Sequence, residues 1–324
     1  MQLLARTVEE RNLLMKEMEK SGYRFVGKHS AMKICHWTRQ AIRGVNFCYK
    51  CSFYGIQSHR CLQMSPTVFW CNFNCPHCWR QHRYTLPPRD FKDWDEPEFI
   101  MDGCIREQLK ILEGFWGSDK ADAKKVAESM IPKNVAISLA GEPTLYPYLP
   151  EMIDDINRRE MTAFLVTNGT NPEMIEQLID HQPTNLYISF YGPTPEIYKR
   201  TTAWMISDAW EKVNQSIMLF PEFDCNTVFR LTLTKGINFV MPEKYAEFIE
   251  KSQPRFVECK GFMAVGGARD RIGPQGMMTH EEMLRFAQDI EKNSSYRIIN
   301  EKPESCVVLL AHEDVKHEAL FLAD

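Results

Sequence analysis

From residue 66 onward the chain alternates between short apolar segments and helical stretches, and this alternation limits the possible fold more than any other feature. The apolar segments have the β-branched and aromatic content of buried strands. They lie at 68–70, 135–139, 163–167, 185–190, 227–234 and 255–263. Six such βα units favour a parallel sheet closed or nearly closed into a barrel, so we expect an α/β, partial (β/α)6 TIM-like barrel. An open doubly wound sheet is the alternative, but no Gly-rich dinucleotide fingerprint follows the first strand.

The sequence predicts three regions. Residues 1–65 combine an N-terminal helix, expected over 7–21, with a Cys-rich extension that shows no periodic pattern. Without a periodic apolar pattern, something other than a hydrophobic core must order this extension, and a metal cluster would do so. Residues 66–265 form the barrel, and 266–324 form a C-terminal extension expected to pack on it.

The C-terminal extension is less informative. Residues 291–304 are polar and are predicted to be a loop, whereas the apolar run 306–311 is predicted to be a docked strand or helix. The segment Gly266-Gly-Ala-Arg269 is too short to be assigned as a motif.

The charge of the chain is unevenly distributed. Residues 1–92 carry 15 Lys and Arg against 5 Asp and Glu, whereas 93–324 carry 24 against 38. Within 22–92 the only acidic residue is Asp90, among basic, histidine and aromatic residues. Cations that neutralise phosphates and rings that stack on bases favour a nucleic-acid surface. Alternatively, this basic segment offsets negative clusters or covers the acidic body.

No apolar run approaches the roughly 20 residues that span a bilayer, and the N-terminus lacks the pattern of a signal peptide. We therefore expect a cytoplasmic protein that does not contact a membrane. Eleven cysteines in such a protein indicate metal binding before disulfides.

Cys71, Cys75 and Cys78 form a C-x3-C-x2-C run directly after the first predicted strand. Three thiolates at this spacing can hold three irons of a [4Fe–4S] cluster and leave the fourth iron open for a small molecule. Zinc is the alternative, although a structural zinc site normally takes four ligands with paired two-residue spacings.

A second set of cysteines lies upstream. Cys35, Cys48 and Cys61 are separated by equal intervals of 13 positions. The Cys48/Cys51 pair could instead begin a zinc knuckle completed by His59 or Cys61. Spacing alone does not decide between a second cluster and zinc.

The pattern Cys-x12-Cys-x12-Cys-x9-Cys-x3-Cys-x2-Cys resembles the archaeal tRNA 4-demethylwyosine synthases, which are radical S-adenosylmethionine (SAM) enzymes. The likeness includes Cys48-Tyr-Lys-Cys51, Phe53 to Met64, Ala140-Gly-Glu-Pro-Thr-Leu-Tyr-Pro147 and Thr167-Asn-Gly-Thr170. It implies a barrel of the radical SAM type with an N-terminal Cys-rich cluster-binding extension. It also implies two [4Fe–4S] clusters, one on Cys71, Cys75 and Cys78 and the other on Cys35, Cys48 and Cys61.

The resemblance assigns further roles. Lys50 corresponds to a lysine proposed to form a Schiff base with pyruvate, and two-residue spacing in an extended chain would point it the same way as Cys48. A nucleophilic amine must be neutral, which requires burial or a nearby cation such as Arg60 or Arg43. Cys51 is then a bystander. Four further cysteines are expected to be ordinary buried residues: Cys104, Cys225, Cys259 and Cys306.

SAM would be bound around the first cluster. The Gly141-Glu142-Pro143 turn would contact its amino group, and Asn168 and Ser189 would hold its carboxylate or ribose. The residue before the third cysteine usually contacts adenine through its backbone, and here it is His77 rather than a hydrophobic aromatic. As the alternative, Glu142 only initiates a helix.

The implied reaction condenses 1-methylguanosine-37 of tRNA(Phe) with pyruvate, using SAM cleavage, and closes the third ring of 4-demethylwyosine. Carbon–carbon cleavage makes the enzyme a lyase. An external electron donor of the ferredoxin or flavodoxin type is implied, and we expect a monomer. Phe53, Tyr54 or Trp79 could receive the unstacked base. Alternative functions are another radical SAM enzyme with an auxiliary cluster, or a non-catalytic zinc-stabilised RNA-binding protein.

Overall fold

The computed structural model describes residues 8–80 and 91–313. The helices are α1 Val8–Lys20, α2 His36–Ile42, α3 Tyr49–Tyr54, α4 Pro97–Glu113, α5 Ala123–Ser129, α6 Leu149–Arg158, α7 Pro172–Gln177, α8 Pro195–Thr202, α9 Ala209–Met218, α10 Pro242–Ser252, α11 Ala268–Arg271 and α12 His280–Lys292. The strands are β1 Arg24–Val26, β2 Ser30–Met32, β3 Cys61–Ser65, β4 Asn134–Ile137, β5 Thr162–Thr167, β6 Asn185–Phe190, β7 Asn226–Leu233, β8 Phe256–Gly261, β9 Tyr296–Lys302 and β10 Val307–His312.

The chain divides into two compact units and passes between them several times. The first unit consists of Met1–Cys48, Gln57–Cys71 and Thr85–Leu165. The second unit consists of Tyr49–Ile56, Asn72–Tyr84 and Val166–Asp324. As a result α3 belongs to the second unit, although the residues on both sides of it belong to the first.

In the first unit, β1, β2 and β3 pair antiparallel, and β3, β4 and β5 pair parallel. Helix α4 packs closely against β1 at Gly103, where a Cβ atom would lie 2.2 Å from Val26 Cγ1. Because any side chain at Gly103 would push α4 away from β1, the glycine sets the distance between helix and strand.

In the second unit, β6, β7 and β8 pair parallel, while β10 pairs antiparallel with both β8 and β9. One face of this sheet is an aromatic core: the Phe190 ring lies 5.0 Å from that of Phe229 and 4.9 Å from that of Phe248 on α10. The opposite face carries polar and charged side chains on the same strands. Burying polar and charged side chains without partners costs free energy. We therefore take this second face as the candidate site.

The predicted α/β class and five of the six predicted parallel strands are confirmed, but two predicted elements are wrong. The first parallel strand is β3, Cys61–Ser65, and 66–69 form a turn in which Trp70 N donates to Thr67 O. Pro66 ends the strand because proline has no N–H for the ladder. Residues 291–304, predicted as a loop, contain β9; as the outer strand of its sheet, β9 tolerates polar residues that face solvent. The run 306–311 is strand β10.

Candidate functional site

The polar face of the second unit is built on neighbouring strands. Ser189 on β6 lies opposite Arg230 on β7, which lies opposite Glu258 on β8. Tyr187 is two residues before Ser189 and therefore points to the same face. A charged residue in the middle of two apolar strands is the signal by which the sequence could have revealed Arg230 and Glu258. Our sequence analysis did not use it.

Helix α3 covers this face through hydroxyl groups. Tyr49 Oη donates to Glu258 Oε2 at 3.0 Å, and Tyr54 Oη donates to Glu258 Oε1 at 2.8 Å. Arg230 Nη1 donates to Tyr49 Oη at 2.8 Å and lies 3.3 Å from Glu258 Oε2. The fully buried Glu258 carboxylate therefore has both oxygens satisfied.

The ionisation of this network follows from its burial. Burial raises the pKa of Tyr54 well above its usual value, with the Glu258 carboxylate adding to the rise. Burial by itself lowers the pKa of Arg230, but Tyr49 and Glu258 outweigh it and hold the pKa above its ordinary value. The Tyr54 phenol therefore stays protonated and donates, and the Arg230 guanidinium stays charged.

Lys50 lies in this network. It is only 8% exposed, and its Nζ is 4.4 Å from the centre of the Tyr187 ring. Arg230 Cζ lies 5.9 Å from the centre of the same ring. The structure corrects two premises here. Lys50 lies in a helix and not in an extended segment. The cation next to the Tyr187 ring is Arg230, whereas Arg60 donates to Ile131 O in the first unit. Tyr187 and Arg230 were both missed by the sequence analysis.

Cys35, Cys48 and Cys61 all belong to the first unit, are half-buried and form no disulfide. Cys35 is the N-cap of α2, Cys61 is the first residue of β3, and the Cys48 amide donates to Ser58 Oγ at 3.0 Å. Three thiols without disulfides, each next to the start of an element, are a donor set that suits a cluster with one open iron.

One ligand of the zinc-knuckle alternative has another partner. His59 Nε2 lies 2.7 Å from Glu128 Oε2, so that ring nitrogen already contacts a carboxylate. Among the residues that the structure describes, no three His, Cys, Asp or Glu side chains are gathered closely enough to hold one metal ion.

The C-x3-C-x2-C run crosses the boundary between the units. Cys71 ends a segment of the first unit, whereas Cys75 and Cys78 belong to residues 72–80 of the second, which we call the cysteine loop. Within that loop the Cys78 amide donates to Cys75 O at 3.0 Å. None of the three cysteines forms a disulfide, and Cys71 and Cys75 are buried. As a donor set they fit a cluster with three protein ligands.

Asn168 supports the cysteine loop. Its Oδ1 accepts from Thr170 N at 3.0 Å and from Thr170 Oγ1 at 2.6 Å, and Asn72 Nδ2 donates to Thr170 Oγ1 at 2.8 Å. The turn after β5 is thereby tied to the residue that follows Cys71. Both Asn168 and Ser189 are buried side chains of the second unit.

His77 lies within the cysteine loop, and its ring centre is 4.9 Å from that of Tyr191. The expected stacking residues differ in exposure: Phe53 and Tyr54 are fully buried and offer no face to a base, whereas Trp79 is half-buried. Of the three, only Trp79 keeps the surface that stacking requires.

The Gly141-Glu142-Pro143 turn belongs to the first unit. Gly141 has φ +77°, and a Cβ there would lie 1.9 Å from Thr67 O. Glu142 N donates to Trp70 O at 2.8 Å, and its carboxylate accepts from Thr144 N and Thr144 Oγ1. Glu142 therefore caps the short 3-10 helix 143–145, as the structural alternative expected, and its turn is held against the residue before Cys71.

The remaining cysteines are buried or half-buried thiols. Burial raises the pKa of Cys104, Cys259 and Cys306, and it raises that of Cys225 to about 12. Because the thiolate is the form that binds metal, burial makes these four cysteines poor ligands. In the part of the chain that the structure covers, no helix has the length and apolar content needed to cross a membrane.

Comparison with known proteins defines the class first. Residues 65–249 match the radical SAM superfamily, and residues 251–312 match the family described as wyosine base formation. The chain is a member of the radical SAM superfamily. This membership confirms the predicted partial barrel and implies SAM and a [4Fe–4S] cluster as cofactors.

The particular family follows from individual relatives. The SAM-dependent tRNA 4-demethylwyosine synthase of Pyrococcus abyssi is 44% identical over 91% of this chain and 87% of its own length. That of Methanocaldococcus jannaschii is 36% identical over 94% and 97%. A solved structure of TYW1 with a lysine–pyruvate adduct bound has TM-score 0.86 and 34% identity, covering 98% of this chain and 99% of that one. This chain belongs to the family of tRNA 4-demethylwyosine synthases, which confirms the resemblance.

Proposed function

We propose that this chain condenses 1-methylguanosine-37 of tRNA(Phe) with pyruvate to form 4-demethylwyosine, using SAM cleavage to methionine and 5′-deoxyadenosine. The names of its relatives support the reaction. The observation that carries it is the buried amine of Lys50 beside Tyr187 and Arg230. A lysine–pyruvate adduct in a related structure supports the same chemistry.

Lys50 is the residue that would hold pyruvate. Its Nζ attacks the keto carbon, and loss of one water gives the Schiff base. The attacking amine must be neutral. Lys50 is buried, and burial is one of the conditions that favour a neutral amine. The burial of Lys50 and its contact with Tyr187 favour Lys50, and not the open iron of a second cluster, as the group that holds pyruvate.

The first cluster would be held by Cys71, Cys75 and Cys78. When bound, the cluster and SAM supply the radical that removes hydrogen from the N-methyl group of the substrate base. The turn at Gly141, Glu142 and Pro143 would orient the amino group of SAM. Asn168 and Ser189 would hold its carboxylate or ribose, and the backbone of His77 would contact its adenine.

A second [4Fe–4S] cluster on Cys35, Cys48 and Cys61 belongs to the same proposal. In the reaction the bond between the two carbonyl carbons of pyruvate breaks and its carboxyl carbon leaves, so the enzyme would be a carbon–carbon lyase. Electrons would come from a ferredoxin-type or flavodoxin-type donor.

The basic segment 22–92 would bind the tRNA phosphates; its residues 81–90 lie outside the described part of the chain. Because its substrate is tRNA, we place the enzyme in the cytoplasm. We propose that it acts there as a monomer.

The test is an anaerobic assay with SAM, dithionite, pyruvate and tRNA bearing 1-methylguanosine, followed by nucleoside mass spectrometry. We expect a tricyclic nucleoside that requires pyruvate. Borohydride should trap pyruvate on Lys50 in the wild type and leave no adduct in Lys50→Ala. Lys260→Ala is the matched control, because Lys260 Nζ lies 5.3 Å from the Tyr49 ring centre but already donates to Ser305 O. Full activity of Lys50→Ala would contradict the Schiff base.

Iron analysis tests the second cluster separately. Two clusters require about eight irons per chain, and Cys48→Ala should lower this to about four. Cys51→Ala is the control, since it removes a neighbouring thiol that the assignment leaves out. An unchanged iron content in Cys48→Ala would show that the three upstream cysteines are grouped wrongly.

A further inference from the structure

The segment that follows β8, residues 264–273, contacts the cysteine loop within the second unit. Its sequence includes Gly266-Gly-Ala-Arg269, which carried no assignment from the sequence. The two segments are almost 190 residues apart in the chain. Their contact links the wyosine family region to the ligands of the radical SAM region.

Two glycines allow the close approach. Gly267 N donates to Trp79 O at 2.9 Å. Gly266 has φ +53°, and a Cβ there would lie 2.2 Å from the same oxygen. A side chain at Gly266 would therefore separate the two segments, besides disfavouring the left-handed backbone.

Arg271 supplies the main link. Its Nε donates to Pro76 O at 3.0 Å, and its Nη2 donates to Cys78 O and, at 3.2 Å, to Arg80 O. One rigid guanidinium thus binds three carbonyls within five residues of the cysteine loop. The carbonyls belong to Cys78 itself and to the residues two positions before and two positions after it.

Arg271 also acts through its charge. The guanidinium lies close enough to the Cys78 and Cys75 thiols to interact with both electrostatically. It is half-buried, so solvent screens this interaction less than it would at the surface. One electron from the external donor adds one negative charge to a cluster on these cysteines, with no proton taken up. A neighbouring cation stabilises that added charge.

We propose that Arg271 is a positioning residue of the radical SAM centre: it fixes Cys78 through the three carbonyls and raises the reduction potential of the cluster. The proposal rests on membership of the radical SAM superfamily and is independent of pyruvate, Lys50 and the tRNA.

The experiment compares Arg271→Gln with Arg269→Gln in anaerobic holoprotein. Arg269 has the same charge two residues earlier, but it is exposed and its Nε only reaches Ala264 O at 3.4 Å. The readout is an EPR redox titration of the signal that changes when SAM is added. For Arg271→Gln we expect the ratio of reduced to oxidised cluster at a fixed potential to fall at least tenfold, equivalent to 59 mV for one electron. Arg269→Gln should change it less than twofold.

Arg271→Lys separates charge from geometry. It keeps the positive charge but cannot bind three carbonyls in one plane. We expect Arg271→Lys to have a cluster reduction potential close to that of the wild type. In the apo-protein, its Cys78 amide should exchange hydrogen faster than in the wild type, where this amide donates to Cys75 O. This exchange measurement needs no cluster, so it remains decisive if Arg271→Gln fails to bind iron.

Three results would overturn the proposal. The first is a potential for Arg271→Gln within twofold of the wild-type ratio, and the second is an equal shift in Arg269→Gln. The third is unchanged exchange across 76–80 in both Arg271 variants. Since none of these readouts uses tRNA or pyruvate, a failure here is distinct from a failure of the proposed synthase activity.

Discussion

Glu258→Gln is the most informative test of the buried network that joins Glu258 and Arg230 to the tyrosines of α3. The carboxylate accepts from Tyr49 and Tyr54 and pairs with Arg230, and it is fully buried. Glutamine has nearly the same shape but removes the charge. Its amide nitrogen would also face a hydroxyl donor in place of an acceptor oxygen.

The magnitude follows from what remains after the change. Removing one partner of a buried ion pair costs about 3–5 kcal/mol, mostly because the other charge is left uncompensated. The Arg230 side chain keeps 16% of its surface exposed, so we take the lower end, about 3 kcal/mol. One kcal/mol shifts the melting temperature of a chain of this size by about 2–4 °C, and the smaller value applies to longer chains. A loss of about 3 kcal/mol should therefore lower the melting temperature by about 6 °C.

The assay is thermal melting of anaerobic holoprotein, with Glu301→Gln as the control. Glu301 lies 2.9 Å from His280 Nε2 in the same unit, but its side chain is 45% exposed. The same chemical change there should cost less than about 1 kcal/mol. The double variant Tyr54→Phe/Glu258→Gln should lose less free energy of unfolding than the sum of the two single variants. The reason is that both changes remove the same hydrogen bond, from Tyr54 Oη to Glu258 Oε1. Equal melting temperatures for Glu258→Gln and Glu301→Gln would refute the network as a source of stability.

Three further predictions concern other parts of the molecule. Gly141→Ala should raise the apparent KM for SAM at least tenfold in a 5′-deoxyadenosine assay, because the added Cβ would clash with Thr67 O. Gly236→Ala is the control: Gly236 also has a positive φ, +73°, but no atom lies within 4 Å of the added Cβ. It should introduce backbone strain without a clash. Burial lowers the pKa of His29 below 6.5, so the unfolded chain binds that proton more readily than the folded chain. The stability that neutral His29 contributes is therefore complete above pH 6.5 and decreases as the pH falls from there to the folded value; urea midpoints should show this slope, and His29→Gln should lose it. In apo-protein, iodoacetamide should modify Cys35, Cys48 and Cys61 faster than the buried thiols of Cys104 and Cys259, as measured by peptide mass spectrometry; equal rates would contradict the division between ligands and core cysteines.

The sequence predicted the parallel strands well, because each is an apolar run bounded by polar residues. The strand 185–190 has the predicted bounds. The prediction failed at β3, where the apolar residues Leu62 and Met64 alternate with Cys61 and Gln63. A run of three apolar residues at 68–70 looked more like a buried strand than this alternation did, although Pro66 prevents the ladder from continuing into it.

The candidate site was predictable only where a motif marks it. The two cysteine sets and Lys50 follow from spacing and resemblance. Arg230 and Glu258 come close only because their strands are adjacent and in register, and no local pattern joins them to Lys50. Likewise Arg271 contacts Pro76 in the cysteine loop across 195 residues, a contact that spacing along one sequence cannot reveal.

The assignment of α3 to the second unit has a consequence for the order of events during synthesis. Tyr49 bonds to Glu258, and Ser52 O accepts from Asn300 on β9, so this six-residue helix waits for partners about 200 and 250 residues downstream. At about 5–20 residues per second, translation alone delays those contacts by tens of seconds. A ribosome-bound chain thus exposes Lys50 to water until most of the second unit has emerged. The surroundings of Lys50 are therefore complete only after Glu258 and Asn300 have been synthesised.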